Sequence, residues 1–441
     1  MSILRSIDSN KIIKCEYKTH PHDLSCTHDR RPQITVGFEN IYEDFYRAEL
    51  RLFLDDEMVK FQWSDALQVN YLPEKELEYG EHKVRLVIPD RKNGEFHINW
   101  VFYIIDKNKK YNIYYGNPHS HTSYSDGKGT PTDAFECARG NGLHFLMISD
   151  HVGRLLKNNS SYDNSISFHG CKYPKWEMTK LEAEQINFKY DDFVALAGYE
   201  LSTVFWGHIN FFNCDELVSK KKFMIKDMIQ WIHSHEDILL SVNHPFKRVG
   251  TLKCDSPFNK NILLYEYGNG CPPRKYNRCE ERYYKALDDG WIFGAINGQD
   301  NHDSNWGEAE NLTGIFAENL TKEELIGAMK MRRVFSTESK TLKLSFKVDG
   351  YWMGSIINVK VGERLRVEIN VQDKMVDIEK VQLISNGGVV VHEHNFGESG
   401  VFKCIVDINT SIENTWYLVK VFLKNDKIGI SSPVFLKYNE I

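Results

Sequence analysis

The chain has 441 residues, more than one compact domain holds on average, so two or three domains are expected. An apolar share of 41% and a charged share of 26% are those of a globular protein and exclude a disordered or fibrous chain. The net charge of −6 argues against a surface built to coat nucleic acid, and no apolar run is long enough to span a bilayer. The start, Met1-Ser-Ile-Leu-Arg-Ser-Ile-Asp8, has no apolar signal core, and the nine cysteines include no Cys-x-x-Cys pair. Both features point to a cytoplasmic protein with reduced thiols.

Residues 1–30 are polar and irregular. From Ile34 to Ile105 short stretches alternate polar and apolar residues: Arg47–Leu54, His82–Ile88 and, more loosely, Phe96–Ile104. Asp55-Asp56, Tyr79-Gly80 and Lys92-Asn-Gly94 are turn signals between them. Short strands separated by polar turns predict an N-terminal β-sandwich over 1–109.

Over 110–338 strand-like and helical stretches take turns. Tyr111–Tyr115, Leu143–Ile148, Phe193–Ala197, Ile209–Phe212, Ile238–Val242, Ile262–Tyr265 and Ile292–Ile296 read as strands. Helices are expected over Thr130–Arg139, Trp176–Phe188, Lys226–His235, Asn277–Leu287 and from Thr321 to Arg332. Thr130 can N-cap the first, with Pro131 at the first helical position and Asp133 complementing the helix dipole. Thr321-Lys-Glu-Glu324 reads as a capping box. Alternating β and α units predict an α/β domain with a mostly parallel sheet, open or closed into a barrel. From Thr341 the alternation returns, clearest in Leu342–Val348, Leu365–Val371 and Trp416–Leu423, with Asp349-Gly350 and Asn386-Gly387 as hairpin turns. A second β-sandwich over 339–441 is expected.

The candidate chemistry sits where the central strands end. His119 and His121 follow the first strand, and residues two apart in extended chain point to one side. Asp126 offers a carboxylate shortly after. Asp150 and His151 follow the second strand, Glu200 the third, and His208 opens the fourth. His244 follows the fifth, and Asp300 and His302 the last. One His after a strand is more often a satisfied hydrogen-bonding group than a ligand, and the loop from Tyr115 to Gly127 alone reads equally as a polar loop. Ionisable residues at nearly every strand end are hard to explain that way, since so many unpaired charges at one end would be costly. Metal cations would balance the carboxylates and take neutral imidazoles as ligands.

These residues carry a resemblance. His119-Ser-His121 with Asp126-Gly127, Ile148-Ser-Asp-His151, Gly198-Tyr-Glu200, Gly207-His208, Asn243-His-Pro245 and Asp300-Asn-His302 resemble the PHP (polymerase and histidinol phosphatase) superfamily of metal-dependent hydrolases. Gly198–Ser202, Gly207–Asn210, Asn243-His-Pro245, Gln299–His302, Asn305-Trp-Gly307 and Arg332-Arg-Val334 are similar to its carbaryl-hydrolase branch. The resemblance covers roughly 110–338 and, more loosely, the flanking segments. It implies a distorted seven-stranded β/α barrel holding two or three divalent ions. By position, His119, His121, Glu200 and Asp300 would hold one ion. Glu200 would bridge to a second, completed by His208 and His244, and Asp126, His151 and His302 would hold a third. Glu200, Asp300 and His302 would be the catalytic residues. A nitrogen and oxygen donor set suits Zn²⁺, Mn²⁺ or Fe²⁺. Two positions depart from the family: Asn117-Pro118 stands where Asp-Leu is common, and Ser149 replaces Thr. Asn117 is expected to orient a histidine still, and Asp150 to orient rather than ligate.

The reaction expected is hydrolysis by metal-activated water. There is no Gly-x-Ser-x-Gly elbow and no Gly-rich phosphate loop with its Lys. For a phosphoester, the expected substrate class, Lys247, Arg248 and Arg274 are candidate anion contacts, with Lys247 and Arg248 reading equally as surface charge; Arg332 and Arg333 read rather as the cationic end of a helix. For an aryl carbamate, ester or amide, the alternative, Tyr199, Phe205, Trp206 and Trp306 could form an apolar wall, or simply be core. Glu266 falls outside the ligand set, as an acid that orients a ligand or touches substrate. A small-molecule substrate is the expected partner, with self-association open, and a non-catalytic metal-binding or assembly protein stands as a third reading.

Overall fold

In the computed structural model, which describes residues 2–5, 12–39, 49–64, 67–90, 94–156, 165–168, 171–203, 207–212, 214–218, 231–232, 234–235, 238–245, 260–395 and 401–438, the N-terminal alternation becomes two five-stranded sheets. Along Gly94–Ile104 every second side chain (Phe96, Ile98, Trp100, Phe102, Ile104) is buried, because successive side chains of a strand face opposite ways. Ile34, Val36 and Phe38 from one sheet and Leu52, Leu54, Val84, Leu86 and Ile88 from the other enter the same core. The first sheet runs Ser2–Arg5, Ile12–His20, Ile34–Phe38, Gln68–Tyr71, Gln62–Ser64. The second runs Ser25–Thr27, Gly94–Ile104, Gly80–Asp90, Arg51–Leu54, Glu57–Val59. Both belong to a compact unit formed by 1–109, 355–363 and 436–441.

The other compact unit, 110–354 with 364–435, carries the candidate site. Its first nine site-bearing or flanking strands are β1 (Asn112–Asn117), β2 (Phe145–His151), β3 (Val194–Thr203), β4 (Gly207–Phe212), β5 (Leu239–Asn243), β6 (Ile262–Asn269), β7 (Gly294–Gly298), β8 (Leu312–Ala317) and β9 (Val334–Thr337). β1 to β7 lie side by side in chain order, parallel except where β4 runs against β3 and β5. Just past β7, Asn301 bridges to Ser120, just past β1, and its carbonyl accepts the His121 N–H at 2.7 Å. The other edge of β1 pairs with β8, antiparallel, so the strands return on themselves without a β7–β1 ladder.

Among the described residues the structure is mixed α/β, mostly strands with few helices. The main helices are α1 (Pro131–Gly140), α2 (Lys175–Lys189), α3 (Glu280–Asp288) and α4 (Lys322–Lys330). At α1, the Thr130 side chain accepts the Asp133 N–H while the Asp133 side chain accepts the Thr130 N–H, a complete capping box. Ala134 and Phe135, and Ala138 one turn further on, then face the core. Thr321 caps α4 by accepting from Glu324 N–H at 3.2 Å. That helix ends at Lys330, before the expected Arg332, which adopts a left-handed φ of 55°. The helix expected over 226–235 lies largely outside the described residues.

Sheet hydrogen bonds cross the sequence boundary at 338/339. β9 pairs with Ile428–Ser431, followed in the same sheet by Trp416–Leu423, Ile378–Ser385 and Val389–Asn395. Tyr351–Trp352, Lys343–Val348, Arg364–Gln372 and Val401–Asn409 form a separate sheet. Its Asp349-Gly350 turn has φ of 48° and 81°, the paired positive values a tight hairpin demands.

Candidate metal centre

The site gathers at one end of β1 to β7. β1, β2, β5 and β7 finish there, and β4, running the other way, starts there. Nine side chains converge: His119, His121, Asp126, His151, Glu200, His208, His244, Asp300 and His302. They form four overlapping groups able to hold a cation, with the ligand atoms of each group within 4.8 Å of one another. The groups are His119/Glu200/His244, His119/His121/Asp300, His151/Glu200/His208 and His121/Asp126/His151/His302. All nine residues named from the sequence are present. The grouping is finer than the one expected: His121 also joins the Asp126 set, and Glu200 also faces His151.

Glu200 is the hub. It is fully buried within β3, and its Oε1 lies 3.1 Å from His208 Nδ1, 3.1 Å from His244 Nε2 and 3.4 Å from His119 Nε2. Its Oε2 lies 2.9 Å from His151 Nδ1. Asn243 Nδ2 donates to Oε1 at 2.9 Å and fixes the carboxylate. Asp300 Oδ1 is 3.4 Å from His119 Nε2 and 3.3 Å from His121 Nε2. Asp126 is 3.6 Å from His151 and 3.4 Å from His302. Side-chain exposure rises from nil at Glu200, His119 and His121 to 21% at His151, 32% at His208 and 42% at Asp126, which marks the solvent side.

The electrostatics ask for positive charge. Burial alone would raise the Glu200 carboxyl, yet His119, His151, His208 and His244 hold it well below the carboxylate range. Asp300 is likewise low against burial, through His119 and His121, and Asp126 through His302, His151 and His121. Burial opposes a proton on His119, but Glu266, Asp300 and Glu200 outweigh it and lift the ring to about 10. His121, beside it, is pushed down to about 4 by burial and stays a neutral donor of lone pairs. Without a cation the proton on His119 answers the carboxylates; divalent cations would answer them with neutral imidazoles. Glu200 Oε2, His151 Nδ1 and His208 Nδ1 are buried, and the 2.9 and 3.1 Å approaches of the two rings to the carboxylate are not in hydrogen-bonding geometry, as suits atoms that would share a cation. The residues fit metal ions.

Backbone strain marks the same place. His244 and Asp300 have φ of 28° and 48°, a region side-chain-bearing residues avoid unless their surroundings impose it. Asp150 is in none of the ion-holding groups: it accepts from Thr122 N–H at 2.8 Å, Thr122 Oγ1 at 2.5 Å and Ser125 Oγ, pinning the loop that carries Asp126. Burial pushes its carboxyl up to about 6 despite these bonds. Asn117 accepts the N–H groups of His119 and Gln299 at 3.1 and 3.0 Å, tying the two ligand loops together as a neutral residue can.

The remaining sequence candidates divide. Lys247, Arg248, Phe205 and Trp206 lie outside the described residues. Arg274 is exposed, in the segment after β6 whose Pro272 carbonyl accepts from Asn305 Nδ2 at 3.2 Å. Lys128, and more weakly Arg274, hold Asp303, next to His302, below the carboxylate range. Trp306 is a correction: it is 1% exposed in a core cluster with Phe135, Ala138 and Leu143, and offers substrate no face. Tyr199 stacks on Phe211 and is core too. Arg332 donates to the Gly354 carbonyl and Arg333 lies over the Tyr111 ring, so both serve the fold. Glu266 is more central than its sequence position suggested: its Oε1 is 2.6 Å from His119 Nδ1. The signal was a carboxylate inside the apolar strand Ile262–Asn269, where a charge needs a partner.

No family model and no curated protein sequence matches the chain. Among solved structures, it is similar to a two-domain Bacteroides vulgatus protein described as containing a predicted PHP-like metal-dependent phosphoesterase: 16% identity, 74% of this chain and 95% of that one, TM-score 0.43. It is also similar to a Bifidobacterium adolescentis protein described as a candidate metal-dependent phosphoesterase: 15% identity, 49% and 95% coverage, TM-score 0.30. A third is an amidohydrolase from Chromobacterium violaceum: 14% identity, 49% and 96% coverage, TM-score 0.28. Likenesses this loose carry no argument about what the site does.

Proposed function

We propose that the chain is a metal-dependent hydrolase whose centre holds two or three Zn²⁺, Mn²⁺ or Fe²⁺ ions, and that its substrates are small phosphoesters. The observation that carries this reading is the convergence of nine ligand-type side chains on one carboxylate, Glu200, at one end of the strands. Divalent ions held there would polarise an electrophilic oxygen and make water acidic enough to attack near neutral pH. Glu200 is shared between the His119/His244 and His151/His208 groups and would set their spacing. Asp300 would fix His119 and His121, and Asp126, His151 and His302 would line the solvent side, where substrate enters. No Ser or Cys nucleophile is required.

Two observations favour the phosphoester. Lys128 and Arg274 stand beside the His302 loop, where they can meet an anion. Trp306 and Tyr199, two aromatics an aryl substrate would use, are in the core. The likeness of several motifs to the carbaryl-hydrolase branch makes carbamate, ester or amide bonds the outcome to test against. Chelated protein reloaded with Mn²⁺ or Zn²⁺ is assayed on phosphomonoester, phosphodiester, aryl ester and aryl carbamate chromogens. Phosphate turnover that chelation abolishes supports the proposal. Turnover of ester or carbamate alone moves the substrate class, and silence on all four with metal bound contradicts hydrolysis of these bonds.

A further inference from the structure

Glu266 belongs to none of the ion-holding groups, yet it touches two of the strands that carry them. It is fully buried on β6. Its Oε1 accepts from His119 Nδ1 at 2.6 Å. Its Oε2 accepts the His244 backbone N–H at 2.5 Å and the Asn269 side-chain N–H at 2.8 Å. One carboxylate thus uses one oxygen on a ligand's ring and the other on a second ligand's backbone.

We propose that Glu266 is a positioning residue that sets metal affinity through His119 and His244 together, an inference that rests on reading the cluster as a metal centre. A neutral His119 ring, the form a bound cation would require, whose Nδ1–H donates to Glu266 presents the Nε2 lone pair, and Nε2 is the atom that faces His121, Glu200 and Asp300. The same carboxylate holds His244 in its left-handed conformation, φ 28°, by accepting the N–H that this backbone turns inward. The chain makes room for the contact. A Cβ on Gly298 of β7 would lie 1.8 Å from Glu266 Oε1 and 3.1 Å from the His119 Cβ, so glycine is required where β7 passes the pair. Glutamine cannot replace this acid. Both oxygens accept, and a carboxamide would turn an N–H toward either the His119 donor or the His244 and Asn269 donors.

The test uses the full chain, chelated and titrated with Zn²⁺ alone by calorimetry, with thermal unfolding of the metal-free protein as the folding control. ¹⁵N-histidine NMR of the zinc-loaded protein reports the His119 tautomer. Glu266→Gln is expected to fold with a lowered unfolding temperature without metal, to bind zinc about 10- to 100-fold more weakly while folded, and to lose the single Nδ1–H tautomer. Gly298→Ala, which displaces the carboxylate without removing it, is expected to weaken zinc binding in the same direction, and it decides the question if Glu266→Gln does not fold. Wild-type zinc affinity in folded Glu266→Gln, with the tautomer kept, overturns the proposal and leaves the metal centre standing. A wild-type protein that takes up no zinc overturns both.

Discussion

Replacing Glu200 with Gln removes one negative charge from the most buried point of the site and keeps the side chain's size. Four imidazoles and Asn243 face the carboxylate at 2.9 to 3.4 Å. In the metal-free protein the loss is limited. Glutamine keeps an oxygen that can accept from Asn243 Nδ2, as the carboxylate does. His119 also keeps Glu266 as its partner. The fold should therefore survive. With metal the loss is large, because both groups that share Glu200 lose their only carboxylate. Removing one partner of a buried charged pair costs about 3–5 kcal/mol, which is roughly a hundred- to four-thousandfold in affinity. The stabilisation that metal gives the wild type, about 2.7 kcal/mol at a hundred times Kd, should nearly vanish in the variant. Calorimetry with Zn²⁺ or Mn²⁺, thermal unfolding with and without metal, and turnover measure the three parts. A folded Glu200→Gln protein that binds the same number of ions with affinity within a few-fold of wild type, or turns over normally, would refute the bridging role.

Three further outcomes are expected. Asp150→Asn should free the loop held through Thr122 and Ser125, so that the ion sharing Asp126, His151 and His302 is lost first; metal counting should show fewer ions per chain with the Glu200 groups still filled, and unchanged stoichiometry would contradict this. Trp306→Ala should destabilise by about 3–5 kcal/mol as a core truncation. Trp306→Phe should restore most of that stability with KM unchanged, whereas a raised KM in the stable Phe variant would return Trp306 to the substrate wall. In the N-terminal unit, burial, aided by the charges of Lys437, His20 and Lys18, pushes His22 down to about 4. Its neutral form is the one the fold favours. That contribution is complete above the ordinary histidine pKa of about 6.5 and is lost as pH falls toward 4, by no more than about 3 kcal/mol before solvent screening of the partly exposed ring. An NMR titration of His22 with a midpoint near 6.5 would contradict it.

Local pattern made much of this legible. Period-two burial along Gly94–Ile104 and the capped start of α1 both follow from side-chain direction and hydrogen-bond arithmetic within a few residues. The clustering was legible because like-directed strand ends lie along one edge of a sheet, so His and Asp at successive ends fall near one another, while their division into ion-holding sets was only what the resemblance implied. Non-local pairing was not. The partner of β9 is Ile428–Ser431, and nothing in Val334–Thr337 specifies which strand covers its edge. Glu266 and His119 are separated by 147 positions, so the acid was visible as a buried charge while its partner was not. Trp306 misled because closeness in sequence to His302 does not fix which way a side chain turns. The loop folds back on α1, where Asn141 Nδ2 donates to the Trp306 carbonyl at 2.8 Å.

Anomalous scattering from crystals of the zinc-loaded protein tests the central claim most directly. The account predicts peaks within bonding distance of Glu200, one toward His119 and His244 and one toward His151 and His208, with any third peak at Asp126 and His302. Zinc bound elsewhere, or no peak within reach of Glu200, would contradict it.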